Sequence, residues 1–282
     1  MKLPNIVVRI LAGAVFVGLL LGGILINEYT FAVIFAAITG LCLYEFYGLI
    51  EKSANVPVSK ILNVVGGMLL FLGGFAYQSI QQLFLFFVPY IVYLLVLFIR
   101  ELYMKRQDPI KSLAYSALGQ LYIALPFTLT NSLSFSSGEY NYVYILAVLV
   151  FIWVNDSFAY LTGMAFGKHR MFERISPKKS WEGFAGGAIV ATASSYAFYS
   201  LLASPHGLSL FQWMGFALLV VAFGTWGDLI ESLLKRTLGV KDSGNMIPGH
   251  GGILDRFDST ILAIPIAVVY LQIISNLSFF GI

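Results

Sequence analysis

The most chemically distinctive part of this chain is a polar run, residues 228–258, between two apolar segments. A charged side chain at membrane depth costs about 2.5–3.5 kcal/mol on insertion scales, so a cluster of charges there needs a reason other than packing. Charge, glycine and histidine in one run suit a metal-dependent reaction of phosphate groups at a membrane surface. The candidate catalytic residues are therefore Asp228, Lys235, Arg236, Lys241, Asp242, His250, Asp255 and Arg256.

Carboxylates in this run are candidate metal ligands. Asp228 shares one predicted helix face with Glu231, Ser232 and Lys235, because residues i, i+3, i+4 and i+7 lie on the same side of a helix. Mg²⁺ prefers oxygen ligands and usually takes one or two carboxylates together with substrate phosphates. The predicted ligands of one or two Mg²⁺ ions are Asp156, Asp228, Asp255 and Asp258. Two structural alternatives stay open here: a Glu231–Lys235 ion pair, and helix capping by the last two aspartates.

Glycines occupy much of the segment that follows Thr237. Glycine lets the backbone approach a ligand closely, and successive backbone N–H groups can bind an anion. The segment therefore predicts a phosphate cradle, although it is not a Walker A loop, and the alternative is a flexible surface loop. The predicted substrate-binding residues here are Ser232, Gly249, Gly251 and Gly252.

A second constellation precedes the first in sequence. Asp156 lies in an apolar segment one helical turn before Tyr160, and its alternative is a buried polar group satisfied by a neighbouring helix. The basic, hydroxyl-rich segment 176–182 predicts a loop that binds a triphosphate or, alternatively, anionic lipid. Its aromatic residue suits either stacking on a base or anchoring at the membrane interface. The predicted substrate-binding residues are Ser176, Lys178, Lys179, Ser180, Trp181 and Glu182.

These residues must be positioned by membrane helices, because the chain of 282 residues is 59% hydrophobic and only 11% charged. Soluble domains have about 45–50% apolar and about 25% charged residues. A helix needs about 20 apolar residues to cross a bilayer. We predict an all-α polytopic membrane protein with about nine spans, near residues 6–26, 30–50, 61–78, 82–99, 113–133, 142–166, 184–204, 211–235 and 259–279.

Lys and Arg residues predict the orientation, because cytoplasmic segments carry their excess. With nine spans and a cytoplasmic N-terminus, all 17 Lys and Arg residues fall in cytoplasmic segments or at the adjoining helix ends, with Arg9 and Lys235 inside helices. The C-terminus is then outside. We divide the chain into N-terminal helices, residues 1–140, which support the fold or form a dimer contact, and a catalytic region, residues 141–282. The catalytic region contains cytoplasmic loops 167–183 and 236–258.

Taken together, these motifs resemble the signature of the phosphatidate cytidylyltransferases, also called CDP-diglyceride synthases. The resemblance lies in the pattern Ser232-x-x-Lys235-Arg236 through Pro248-Gly249-His250-Gly251-Gly252 to Asp255-Arg256-x-Asp258, in the run 175–183, and in the elements 156–160 and 166–169. It covers about residues 150–260, and the N-terminal half matches only as a multi-span region.

The resemblance implies that CTP and phosphatidate react to give CDP-diacylglycerol and pyrophosphate, with Mg²⁺ and a site facing the cytoplasm from the inner (plasma) membrane. The expected partners are the two substrates and membrane lipid, with no nucleic acid; a homodimer is an open alternative. Rival functions are a transporter, a polyprenol kinase and a CDP-alcohol phosphotransferase. The charges lie at one predicted face rather than the midplane, and the aspartate pattern of the phosphotransferases is missing from the sequence.

A few polar residues are interpreted as having no catalytic role. Glu45 is expected to face a neighbouring helix or the cytoplasmic end of its span, and His169 is expected to be a solvated loop residue. His206 lies in a predicted outside loop. Cys42, the one cysteine, lies in an apolar run and is expected to be a small buried residue, since one cysteine forms no intrachain disulfide.

Overall fold

The computed structural model describes residues 5–80, 82–202, 207–249 and 251–279. It is mostly helical and divides into two compact units. The first unit contains the residues up to Tyr140 together with Lys235–Phe257, and the second contains Asn141–Leu234 and the residues from Asp258. His206 and His250 lie outside the described residues.

Six helices begin in the first unit. They are α1 (Asn5–Leu25), α2 (Glu28–Leu49), α3 (Lys60–Ser79), α4 (Val88–Met104), α5 (Pro109–Gly119) and α6 (Leu125–Ser134). Single π-helical turns, Ile50–Ala54 and Gln120–Ala124, follow α2 and join α5 to α6, and a 3₁₀ turn, Phe84–Phe87, leads into α4. The start of α2 is fixed by a capping box, in which Asn27 accepts from the Thr30 N–H and Thr30 accepts from the Asn27 N–H.

The second unit contains four helices and the only strands among the described residues. They are α7 (Val143–Phe166), β1 (Arg170–Phe172), β2 (Ser176–Ser180), α8 (Trp181–Leu202), α9 (Leu210–Thr237) and α10 (Asp258–Phe279). The strands form an antiparallel hairpin that pairs Arg170 with Ser180 and Phe172 with Ser176. The last residues of α9 belong to the first unit. The segment 176–182 was predicted to be a loop, so the hairpin corrects that prediction.

Helix is present in each of the nine predicted spans. Within the described part of the chain, six helices are long and apolar enough to cross a membrane: Glu28–Ala54, Lys60–Ser79, Phe84–Met104, Val143–Phe166, Leu210–Thr237 and Asp258–Asn276. The protein is therefore a helical membrane protein, as predicted. The count of nine and the orientation stay predictions.

A polar network lies buried among the helices of the first unit. The Tyr47 hydroxyl donates to the Ser116 carbonyl (2.7 Å), and the Asn63 amide donates to the Ser116 hydroxyl (2.8 Å). Tyr93 donates to the Asn63 side-chain oxygen (3.0 Å), and the Gln120 amide donates to the Asn63 carbonyl (2.8 Å) and the Tyr47 hydroxyl (3.1 Å). These bonds satisfy polar groups that would be costly in an apolar interior, and they connect α2, α3, α4 and α5.

Candidate active site

A cavity of about 240 Å³ lies in the second unit and collects many of the predicted residues. Helix α7 contributes Asn155, Asp156 and Tyr160, and α9 contributes Thr225 and Asp228. The hairpin and the start of α8 complete the wall with Met171, Lys178, Lys179, Ser180, Gly183 and Phe184. Asp156 is exposed to this cavity.

Close packing of α7 against α8 positions this wall. Glycines at 183, 186 and 187 lie on one face of α8, because they are spaced by three and four residues. A Cβ added at Gly187 would lie 2.6 Å from the Asn155 carbonyl oxygen, and one added at Gly183 would lie 2.8 Å from the Ala159 carbonyl oxygen. Only glycine permits this approach of two backbones, as is common where membrane helices pack.

Opposite charges meet in the cavity. The Lys179 ammonium lies 2.6 Å from Oδ2 of Asp228, and both side chains keep about a quarter of their surface accessible. The Ser232 hydroxyl donates to Oδ1 of Asp228 at 3.3 Å. On α7, the Asn155 amide donates to Oδ1 of Asp156 at 3.4 Å. Two carboxylates and two lysines therefore line the same accessible space.

The rest of the hairpin region divides between exposed and structural residues. Ser176 is half-buried in β2, and Lys178 and Trp181 are exposed. Ser180 is buried and accepts from the Gly183 N–H at 3.2 Å, which caps the start of α8. Trp181 contacts the Phe184 ring edge-on. Of these four, only Lys178 and Ser180 line the cavity.

Glu182 holds the entry to the hairpin instead of lining the cavity. It accepts from the backbone N–H groups of Lys168 and His169, and its Oε1 lies 2.5 Å from Nδ1 of His169. These hydrogen bonds, above all that from His169, lower the pKa of Glu182 to about 2. His169 was interpreted as a solvated loop residue; it lies before β1 with 79% of its side chain exposed, and the contact with Glu182 was not foreseen.

The start of α10 packs directly against α9. A Cβ added at Gly227 would lie 2.6 Å from the Asp258 carbonyl oxygen. Oδ1 of Asp258 accepts from the Ser259 N–H at 2.6 Å. Asp258 therefore lies beside the residue that precedes Asp228, but it does not line the cavity.

In the first unit, Asp255 is surrounded by donors. Lys235 lies 2.6 Å from Oδ1, and the N–H groups of Ser243 and Gly252 each donate to Oδ2 at 2.9 Å. Burial alone would raise the pKa of Asp255, but the hydrogen bond and charge of Lys235 and the two N–H groups outweigh it, so the pKa lies below its ordinary value. Both oxygens of this carboxylate already have partners within the protein, namely the Lys235 ammonium and the two backbone N–H groups. The role of Asp255 as a metal ligand stays a prediction.

Helix α9 ends in a Schellman motif that leads into the segment 238–253, here called the glycine loop. Val240 N–H donates to the Lys235 carbonyl and Gly239 N–H to the Arg236 carbonyl, with Gly239 at φ +70°. Ile247 pairs with Gly251 across the tip. The exposed candidates are Arg236, Lys241, Asp242, Gly249 and Arg256, whereas Gly252 is buried and Gly251 half-buried.

Two contacts to the glycine loop were missed in the sequence. Glu45 of α2 accepts from the Ser243 hydroxyl at 2.9 Å and from the Leu254 N–H at 3.0 Å. The aliphatic part of Arg9 of α1 lies against Gly249, so closely that a Cβ on Gly249 would collide with it. These pairings join residues about 200 positions apart or more, and no local pattern indicates them.

Mg²⁺ fits the cavity of the second unit by its chemistry. Among the described residues, no three His, Cys, Asp or Glu side chains lie close enough to hold one metal ion. Two carboxylates suffice where phosphates supply further ligands, and Asp156 and Asp228 line the same space. Oδ2 of Asp228 is paired with the Lys179 ammonium at 2.6 Å.

Comparison with known proteins places this sequence in a family. The model of the cytidylyltransferase family matches residues 7–274. The chain belongs to this family. A phosphatidate cytidylyltransferase of Bacillus subtilis (strain 168) is 30% identical over 276 residues, which cover 95% of this chain and 98% of the relative. Those of Thermotoga maritima and Haemophilus influenzae are 41% and 43% identical over 134 and 125 residues, about half of each protein. The family resemblance found in the sequence is thereby confirmed.

Proposed function

We propose that this protein transfers the cytidylyl group of CTP to phosphatidate and forms CDP-diacylglycerol and pyrophosphate for phospholipid biosynthesis. The observation that carries the proposal is the similarity to the phosphatidate cytidylyltransferase of B. subtilis over 98% of that protein. A cavity with two carboxylates and two lysines, in a unit built of membrane helices, supports it.

The reaction needs charge neutralisation more than proton transfer. An oxygen of the phosphatidate phosphate bonds to the α-phosphorus of CTP, and the bond from that phosphorus to the bridging oxygen breaks as pyrophosphate leaves. A phosphate monoester is already ionised near neutral pH, so no strong general base is required. Lys179 and Lys178, which line the cavity, would offset the negative charge of the two reacting phosphate groups and orient them.

Asp156 and Asp228 would hold Mg²⁺ in this cavity. When bound, the ion would supply positive charge to phosphate oxygens. The cavity volume of about 240 Å³ is below the range of about 300–1,000 Å³ typical of sites that enclose a whole ligand. We therefore assign the cavity to phosphate groups, with the cytosine and the lipid chains outside it.

For the glycine loop we propose phosphate binding by exposed backbone and cations. Lys241, Arg236 and Arg256 are exposed, and Gly249 and Gly251 have positive φ. Asp242 lies close to Gly251.

We also propose nine spans, a cytoplasmic N-terminus and a site that faces the cytoplasm, because this arrangement places every Lys and Arg on one side. Phosphatidate would then enter laterally from the bilayer. The N-terminal helices support the fold or form a homodimer contact.

The test follows label from CTP into lipid. Purified protein in detergent, with phosphatidate, Mg²⁺ and CTP labelled in the cytosine, should transfer label to the organic phase. Asp228→Asn should reduce the rate by about 100-fold or more, because it removes a proposed ligand of the Mg²⁺ ion that would neutralise charge on the reacting phosphates. Glu173→Gln, the same chemical change at an exposed position of the hairpin turn, should stay within about twofold of wild type.

Two results would count against the proposal, the first against the reaction and the second against the role of Asp228. Folded wild-type protein that moves no label with several phosphatidates would exclude the reaction. A near-normal rate for Asp228→Asn at ordinary Mg²⁺ would leave the reaction standing but remove Asp228 from the site.

A further inference from the structure

Glu45 is a buried acidic residue that the mechanism above does not use. It lies in α2, one of the apolar helices, and only 5% of its surface is exposed. A buried carboxylate is unfavourable unless donors compensate it. Its donors come from one place, the glycine loop and the turn that follows it.

One carboxylate oxygen of Glu45 joins the two ends of that segment. Oε2 accepts from the Ser243 hydroxyl and from the Leu254 N–H, which are eleven residues apart in sequence. Oε1 has no hydrogen-bond partner among the described residues and lies against Gly244. A Cβ at Gly244 or at Gly252 would collide with this carboxylate. The loop is thus shaped around the side chain of Glu45.

The same loop residues hold Asp255. Ser243 donates its hydroxyl to Glu45 and its backbone N–H to Asp255. Gly252 donates its N–H to Asp255 and packs against the Glu45 carboxylate. A shift of the loop away from Glu45 would therefore shift Asp255, and with it the Lys235 ammonium 2.6 Å away.

We propose that Glu45 is a positioning residue of the cytidylyl transfer. It fixes the glycine loop on α2 and, through Ser243, holds the Asp255–Lys235 pair in its working geometry. This inference rests on the proposed function. It assigns a role in turnover to a residue of the N-terminal helices.

The test compares Glu45→Ala and Glu45→Gln with Glu101→Gln. Glu101 is a matched control, since it is a buried glutamate of a membrane helix that is paired with Arg106 and Ser112 and not with the glycine loop. Glu45→Ala should lower kcat by about 10-fold or more at an almost unchanged KM for phosphatidate, as for other residues that orient a functional group. Glu45→Gln keeps one acceptor oxygen and should recover part of the loss. Glu101→Gln should retain kcat within about twofold per folded molecule.

A double substitution tests the route through Ser243. If Glu45 acts through this hydroxyl, Glu45→Ala with Ser243→Ala should be no slower than the slower single variant, since coupled changes do not add. Fully additive losses would overturn the route. A kcat for Glu45→Ala within about twofold of wild type would reduce Glu45 to a purely structural residue and overturn the proposal.

Hydrogen exchange separates this inference from the proposed function. Glu45→Ala should speed amide exchange in residues 240–256 by about 10-fold or more, whereas Glu101→Gln should not. If the wild-type protein transfers no label but Glu45→Ala still speeds exchange in the glycine loop, the transfer reaction is refuted while the contact of Glu45 with the loop is supported. Unchanged exchange in Glu45→Ala would overturn the positioning role whatever the activity.

Discussion

Replacing Gly187 with Ala should damage the enzyme through the packing of α7 on α8. The new Cβ would lie 2.5 Å from the Asn155 side-chain oxygen and 2.6 Å from the Asn155 carbonyl oxygen, where ordinary contact begins at 3.4 Å. The side chain can rotate, but the carbonyl belongs to the α7 backbone. The two helices must therefore separate locally by about 0.8 Å, and Asp156, the next residue, moves with α7.

Both stability and rate should respond. Overpacking of this kind costs about 1–3 kcal/mol. A misplacement of about 1 Å can cost about 100-fold in rate, so a kcat reduced by tens of fold is expected. The assays are thermal unfolding in detergent and transfer of label from CTP to lipid, normalised to folded protein.

Gly18→Ala provides the control, because a Cβ at Gly18 meets nothing within 4 Å. It should leave the transfer rate unchanged and raise stability by about 0.5–1 kcal/mol, the usual gain from Gly to Ala in a helix. If Gly187→Ala unfolded like Gly18→Ala and kept its kcat, the close approach of α7 and α8 would not position the cavity, and the reasoning would be refuted.

Three further predictions concern charged groups. Lys179→Gln should slow label transfer by about 100-fold. It should change the free energy of unfolding by less than about 1 kcal/mol, because the pair of Lys179 with Asp228 is partly exposed. Arg174→Gln, at an exposed position, is the control, and equal losses of rate in both variants would contradict a local role of Lys179. Lys235→Met should lower the free energy of unfolding, measured with denaturant, by about 3–5 kcal/mol, because it leaves the Asp255 carboxylate buried without its cation. A loss below about 1 kcal/mol would mean that the backbone N–H groups alone stabilise this carboxylate. The lowered pKa of Asp255 means that the unfolded chain takes up a proton first as pH falls, so the stabilisation is complete above about pH 4 and is lost as pH falls through the folded pKa. Asp255→Asn should remove that part of the pH dependence of unfolding, and an unchanged pH profile would contradict the assignment.

Helix positions and the residues of the second-unit cavity could be predicted because their signals are local. Apolar runs of membrane length located helices, and charged residues inside such runs identified Asp156 and Asp228. Each of these signals is contained in one segment of sequence, and the cost of burying charge makes it strong.

The features that escaped prediction depend on partners distant in sequence or on very short elements. Strands of three and five residues carry too little alternation to be seen, so the hairpin was taken for a loop. Ser180 was taken for a substrate ligand in a hydroxyl-rich run, yet in the structure it also caps α8. Glu45 alone in α2 gives no hint of Ser243, because only the folded chain brings them together.

The buried network of Tyr47, Asn63, Tyr93, Ser116 and Gln120 also bears on how this sequence can evolve. Each side chain in it serves as donor or acceptor for another, so a change at one position strands a polar atom of its neighbour in an apolar interior. Amino-acid replacements at these positions must therefore occur together rather than one at a time. Among descendants of this chain we expect correlated replacement of whole pairs, while the lipid-facing residues around them vary independently.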